Sequence, residues 1–257
     1  MLTYLLIFLS ALLLAGVFVH RAIVVLVKKP ELEVVEKEDP KEEAEKKPKK
    51  RLSKGHKSDI EKLYKRALAQ IKKGLPKEAV KTLVGALALD PNSEDCLREL
   101  GELYLAQKMW GKASACYKHL TELKEDAVYF SHLGLAFYNA GELPEAAEAY
   151  QKAITLDPKR KQRYISLCNI YRDAEKPQLA IIAINKAIEL DAENVDYLLL
   201  AADTHIDLED YAAAKQLCDD SKSINPMSKM ANKIREVAVA KERKAKAEAA
   251  NNSQKPN

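Results

Sequence analysis

Two hydrophobic patterns divide this chain. Leu2 to Val19 is an almost unbroken apolar run, and Ala22 to Val27 extend it past His20 and Arg21. From Ile60 onward apolar residues instead recur every three or four positions, the period of helices that bury one face. Between the two lie residues 28–59, which show no such period and in which Pro30, Pro40 and Pro48 interrupt any long helix.

The first run is long enough to cross a bilayer. Eighteen helical residues cover about 27 Å and the whole stretch about 39 Å, against a hydrocarbon core of about 30 Å. A cleaved signal peptide is the alternative, but no Lys or Arg precedes the run and no Ala-x-Ala-like site closes it. Residues 1–27 therefore read as an uncleaved transmembrane anchor. Arg21, Lys28, Lys29 and then Lys46, Lys47, Lys49, Lys50, Arg51, Lys54 and Lys57 follow it. The positive-inside rule places that side in the cytoplasm and the N-terminus outside, most simply across a bacterial inner membrane. Residues 28–59 read as a charged, flexible linker. Its Lys46–Lys57 cluster either lies on anionic lipid headgroups or serves as a solvated tether.

The periodic part repeats itself. The clearest unit is 127–160, in which Phe130, Leu133, Gly134 and Phe137 are followed by Ala146, Tyr150 and Pro158. Leu133 and Phe137 share one face of a first helix, and Ala146 and Tyr150 share one face of a second. Gly134 and Ala146 are small where the two helices must approach. This unit resembles the tetratricopeptide repeat, with one aromatic ring exchanged for another at three places. Steps of about 34 residues recover the frame in 60–93 (Leu63, Ala67, Ala79, Leu83, Ala86, Pro91) and in 94–126 (Leu97, Leu100, Gly101, Tyr104, Ala113, Tyr117). It returns in 161–194 (Tyr164, Leu167, Cys168, Tyr171, Ala180, Ile184) and in 195–228 (Leu198, Ala201, Ala202, Ala214, Cys218, Pro226). The second unit is one residue short, and His205 stands in the fifth where a ring is usual.

The resemblance implies an all-α, right-handed solenoid of about five helical hairpins, preceded by the single transmembrane helix. One hairpin cannot bury its own apolar faces, so the last needs a cover. Met230, Ile234 and Val237 form a stripe that predicts a capping helix over 229–245, with 246–257 as a disordered tail. The family also implies a groove, lined by first helices, that accepts a peptide or helix of a partner protein. Residues that the core pattern leaves over on those helices are the candidates: Tyr64, Leu68, Ile71, Arg98, Glu102, Leu105, Ser131, Leu135, Tyr138, Ile165, Asn169, Arg172, Leu199 and Asp203. Each either meets a partner, with Arg98, Asn169 and Arg172 supplying polar register, or completes packing between repeats. The lysine/asparagine clamp with which one subset of the family grips C-terminal carboxylates is missing, because Tyr64 and Leu68 stand in its place.

Charge and chemistry narrow the function further. Residues 1–59 carry 12 Lys/Arg against 9 Asp/Glu (+3), residues 60–226 carry 22 against 26 (−4), and residues 227–257 carry 8 against 3 (+5). A folded part without a basic stripe gives no reason to expect nucleic acid. Cys96, Cys116, Cys168 and Cys218 are too scattered for a disulfide framework and suit a reducing compartment. Cys116 and His119 alone do not make a zinc site. With no phosphate loop or nucleophile motif either, the chain reads as a non-enzymatic, membrane-tethered scaffold or adaptor that needs no metal or cofactor. Two rivals remain: an organelle-type import receptor, and a periplasmic assembly factor if the first run is cleaved.

Overall fold

The structure, a computed structural model, describes residues 54–253, and among these it contains helices and no strand. The predicted anchor (1–27), most of the linker and the last four residues lie outside the described residues. Among the described residues no helix is long and apolar enough to cross a membrane.

Eleven helices follow one another among the described residues. They are α1 (Lys54–Lys72), α2 (Pro76–Leu89), α3 (Glu94–Ala106), α4 (Trp110–Leu123), α5 (Ala127–Ala140) and α6 (Leu143–Leu156), then α7 (Lys161–Asp173), α8 (Pro177–Leu190), α9 (Val195–Asp207), α10 (Tyr211–Ile224) and α11 (Lys229–Ser253). Local chemistry sets their starts. Asp126, Asn194 and Asp210 each accept a backbone N–H of the first turn of the helix that follows. Proline opens α2, α6 and α8, where its missing N–H costs nothing. The helix α1 begins six residues earlier than the linker boundary at 59 predicts. The pair Lys62–Asp59 ties that extension to the turn that follows it.

Each hairpin turns through one residue in the left-handed region. Gly74 and Gly141 do so with φ of 71° and 82°, and Lys108, Glu175 and Glu209 fill the same place in the other units with φ of 58°, 55° and 59°. A side chain there costs about 1–2 kcal/mol, from which the extra freedom of an unfolded glycine, about 0.5–1 kcal/mol, must be subtracted. Glu175→Gly and Glu209→Gly are each expected to stabilise the protein by about 0.5–1 kcal/mol. Thermal unfolding checks this, and a midpoint that falls in both variants contradicts it. The short second unit loses its residue from a connection: three residues join α4 to α5, where four join α2 to α3, α6 to α7 and α8 to α9.

The core runs across repeat boundaries. Leu97 of α3 and Tyr117 and Leu120 of α4 pack in one buried cluster with Tyr129 and Leu133 of α5 and Ala149 of α6. Such packing carries the stability of a solenoid, since no hairpin stands alone. Gly101 and Gly134 lie flat against the rings of Tyr117 and Tyr150, where an added Cβ would come within 2.9 Å and 2.6 Å of a ring carbon.

The cap differs from the predicted stripe. The helix α11 does cover α9 and α10, but its fully buried residues are Ala231 and Ala238. Ile234 is half-buried against Ile206 and Ala214, whereas Met230 and Val237 face outward. Alanine permits a closer helix approach than methionine or valine, so the helix is rotated to put its smallest side chains inward. Lys215 to Glu242 at 2.8 Å and Arg235 to Asp219 at 3.1 Å hold it to α10. Hydrogen bonds from Lys215 and Lys246 hold the Glu242 carboxyl down at about 2, so this link persists well into acid. The helix also continues to Ser253, through residues 246–253 that the sequence pattern assigns to a disordered tail. Alanine-rich composition and the pairs Lys246–Glu242 and Lys244–Glu248 sustain those turns without an apolar face.

Candidate functional site

The groove candidates sit on the first helix of each hairpin, α1, α3, α5, α7 and α9, and the structure sorts them into three groups. The first completes the packing. Tyr64 and Ile71 are half-buried against the α1–α4 core, and Leu105 against the α3–α6 core. Leu199 is only 6% exposed. Its helix is covered by α8, α10 and α11 together, which leaves less of α9 open than the leftover-position argument assumes. Leu68, Ile165 and Asn169 are half-buried.

The second group is polar and links one first helix to the next. Arg98 Nη1 lies 2.9 Å from Glu99 and 3.4 Å from Glu102, and Nη2 donates to the Tyr64 hydroxyl at 3.3 Å. Arg172 Nη2 donates to Asp203 at 2.6 Å and its Nε to Asp207 at 2.9 Å. The Tyr138 hydroxyl donates to Asp173 at 2.5 Å, and that bond, helped by burial, pushes the phenol up to about 12. Ser131 accepts from Arg163 Nε at 2.8 Å. The spacing offers Arg98 and Arg172 as readers of a partner, but both guanidinium groups are occupied by the protein's own carboxylates. These bonds stitch successive hairpins together.

The third group is apolar and open. Leu135 is 37% exposed, and Val128, one helical stretch before it, is 45% exposed. Together they wall a recess of about 300 Å³ between α5 and α7, which Tyr150, Ser131 and His132 help to line and whose charged groups are Arg160 and the paired Arg163. Three 34-residue steps further on, in the same places of the frame, stand the outward Met230 and Val237 of α11. Val128, Met230 and Val237 are absent from the candidates read from sequence, although stepping the frame from Leu135 leads directly to Val237.

Charge completes the face. Taking the places of Val128, Ser131, Leu135, Tyr138 and Asn139 in all five units gives Glu61, Asp95, Glu102, Asp173, Asp196, Asp203 and Asp207 against Lys72, Arg98 and Arg172. Seven acids against three bases leave the face at −4. A second, wider recess of about 760 Å³ opens where α7, α9 and α11 meet. It holds Asp173, Glu175, Asp207, Glu209 and Glu248 with Arg172, Lys241 and Lys244.

The remaining reactive groups are held in inactive states. Burial pushes the Cys116 and Cys168 thiols up to about 11, so both stay protonated near neutrality. His119 lies 2.9 Å from Asn92 rather than turning toward Cys116 as a co-ligand would. The Tyr117 hydroxyl and His132 Nδ1 are buried without a hydrogen-bond partner, and the two rings meet edge-on at 4.9 Å. Burial pushes the imidazole down, against the pull of nearby Glu102, so it is neutral there.

Family models described as tetratricopeptide repeat match residues 70–133, 127–160 and 162–194. Among curated proteins, the human Protein O-mannosyl-transferase TMTC3 is 36% identical over 105 residues, 40% of this chain but 12% of that protein. The Peroxisomal targeting signal receptor of Candida albicans is 28% identical over 128 residues, 46% of this chain and 22% of the receptor. The chain thus spans only a small part of the length of these relatives. Among solved structures, YrrB, described as a TPR protein with an unusual peptide-binding site, superposes with a TM-score of 0.62 at 18% identity, covering 70% of this chain and 93% of that one.

Proposed function

We propose that this chain, which belongs to the tetratricopeptide repeat family, is a membrane-tethered adaptor that holds a segment of a partner protein along its first helices. The observation that carries this reading is the open apolar pair Val128 and Leu135 beside the recess between α5 and α7, on first helices whose other large apolar groove candidates are half-buried or buried. Apolar side chains exposed beside a concavity, within a polar surround, mark a place where another chain buries them. The described fold is an array of repeats, an architecture suited to binding. A match to 12% of a transferase's length gives no ground for assigning transfer chemistry.

The anchor belongs to the same proposal. The apolar run 2–27 and the basic residues after it support a cytoplasmic placement of the repeats. Intact spheroplasts exposed to protease should leave the repeats undigested, and their digestion from outside would point to a periplasmic protein instead. Crosslinking in the native membrane, followed by copurification, should yield one defined partner. Val128→Ser with Leu135→Ser should reduce its recovery at least tenfold while helical content is unchanged. Unchanged recovery would place the contact elsewhere. The likeness to a targeting-signal receptor supports a second reading, in which the same groove captures many precursors; a spread of unrelated crosslinked chains distinguishes it.

A further inference from the structure

The groove's chemistry narrows what it holds. Each of its two arginines is neutralised by carboxylates of its own fold. Arg172 is shared between Asp203 and Asp207, whose side chains remain 44% and 39% exposed and keep further lone pairs for another donor. The recess at α7, α9 and α11 holds five carboxylates against three cations, with Asp173 and Glu175 at the end of α7 and Asp207 and Glu209 at the end of α9. Next to it, sharing α7, lies the recess walled by Val128 and Leu135. An apolar seat therefore stands beside an acidic one.

Resting on the groove reading above, we propose that the occupant is a cationic segment of a partner protein, with an apolar residue in the α5–α7 recess and lysines or arginines at the acidic recess. Field and preorganisation both favour it. An ammonium or guanidinium entering the acidic recess meets Asp207, already fixed by Arg172, and Asp173, already fixed by the Tyr138 hydroxyl, so little ordering is needed. An acidic peptide tail, a nucleic acid or an anionic headgroup would meet like charge. The two recesses take their α7 residues from opposite ends of that helix, Gln162–Ser166 and Arg172–Asp173, roughly 15 Å apart along its axis. An extended chain covers that distance in about five residues.

The test uses the full chain in a non-ionic detergent and three labelled twelve-residue peptides read by fluorescence anisotropy. One carries Leu-Ile-Leu followed by alternating lysine and serine, one has glutamate for lysine, and one has serine for the three apolar residues. The lysine peptide should bind saturably and at least tenfold more tightly than either of the others at 50 mM salt, with the gap to the glutamate peptide closing at 500 mM. Asp207→Asn with Glu209→Gln should weaken it about tenfold. The same neutralisation on α6, Glu145→Gln with Glu148→Gln, should change it less than twofold. Circular dichroism confirms that each variant is folded.

If the glutamate peptide binds as tightly and is lost in Val128→Ser with Leu135→Ser, the groove reading stands and the cationic assignment falls. If no peptide responds to those serines, the groove reading falls with it. Binding that appears only after Lys46, Lys47, Lys49, Lys50 and Arg51 are replaced by serine gives the groove to the chain's own basic segment and overturns the assignment to a partner.

Discussion

Replacing Arg163 by alanine is expected to remove about 3–4 kcal/mol of stability, more than any change at an exposed ion pair of this protein. Arg163 opens α7 and is only 6% exposed. Its Nη1 donates to the carbonyl of Asp157 at 2.7 Å and to that of Ala153 at 3.3 Å, and lies 2.9 Å from the Asp157 carboxylate. Those carbonyls end α6, where the helix dipole favours a cation; that of Ala153 already accepts from the Asp157 N–H, and that of Asp157 lies past the last helical donor. Nε reaches back to Ser131 of α5. One guanidinium therefore joins three helices, and its removal takes the donor from the part-buried Asp157 carbonyl and leaves a cavity where the side chain was.

Lysine should recover only part of the loss, because a single ammonium cannot fork among acceptors on α5 and α6. In a solenoid each repeat contacts its neighbours alone, so the loss should be local. Amide hydrogen exchange should accelerate in α5, α6 and α7 before it changes in α1–α3. A loss below about 1 kcal/mol, or acceleration spread evenly along the chain, would sink the account.

Arg163 is not among the candidates read from the sequence, and the reason bears on what a sequence of this kind reveals. The frame of small and aromatic residues is legible because hairpin packing depends on local spacing: Gly134 must lie against Tyr150, and Leu133 and Phe137 must share a face. Part of the groove's electrostatics depends instead on partners in the next repeat. Arg172 meets Asp203 and Asp207, 31 and 35 residues on, and Tyr138 meets Asp173, 35 residues on. A scan for opposite charges, or for a hydroxyl opposite a carboxylate, one repeat away, give or take one position or one turn, finds these pairs. A reading confined to single helices takes Arg172 for a free ligand, whereas the Glu99 and Glu102 carboxylates beside Arg98 lie one and four residues away on its own helix. The cap shows a different limit. The sets Met230, Ile234, Val237 and Ala231, Ile234, Ala238 are equally periodic, and close packing of α11 on its neighbours decides between them.

The second large effect lies beneath the apolar recess. Gly134 is buried in α5, and a Cβ there would stand 2.6 Å from Tyr150 Cδ2 and 2.8 Å from Cε2. Alanine in mid-helix gains about 1 kcal/mol of propensity over glycine, which offsets part of such a clash. Valine adds two branches, and Gly134→Val should cost about 3 kcal/mol, the upper end of ordinary overpacking. Gly85, in α2, has nothing within 4 Å of its would-be Cβ, so Gly85→Ala should instead stabilise by about 0.5–1 kcal/mol and serves as the internal contrast. Because Tyr150 also lines the recess with Val128 and Leu135, a ring displaced by the Gly134→Val change has the recess as its outlet, and partner capture should fall along with stability. Tyr150→Leu removes the ring atoms in conflict. Combined with Gly134→Val it should cost less than the sum of the two changes, by at least about 1 kcal/mol in a double-mutant cycle. Strictly additive costs would show that the ring is not what holds position 134 to glycine.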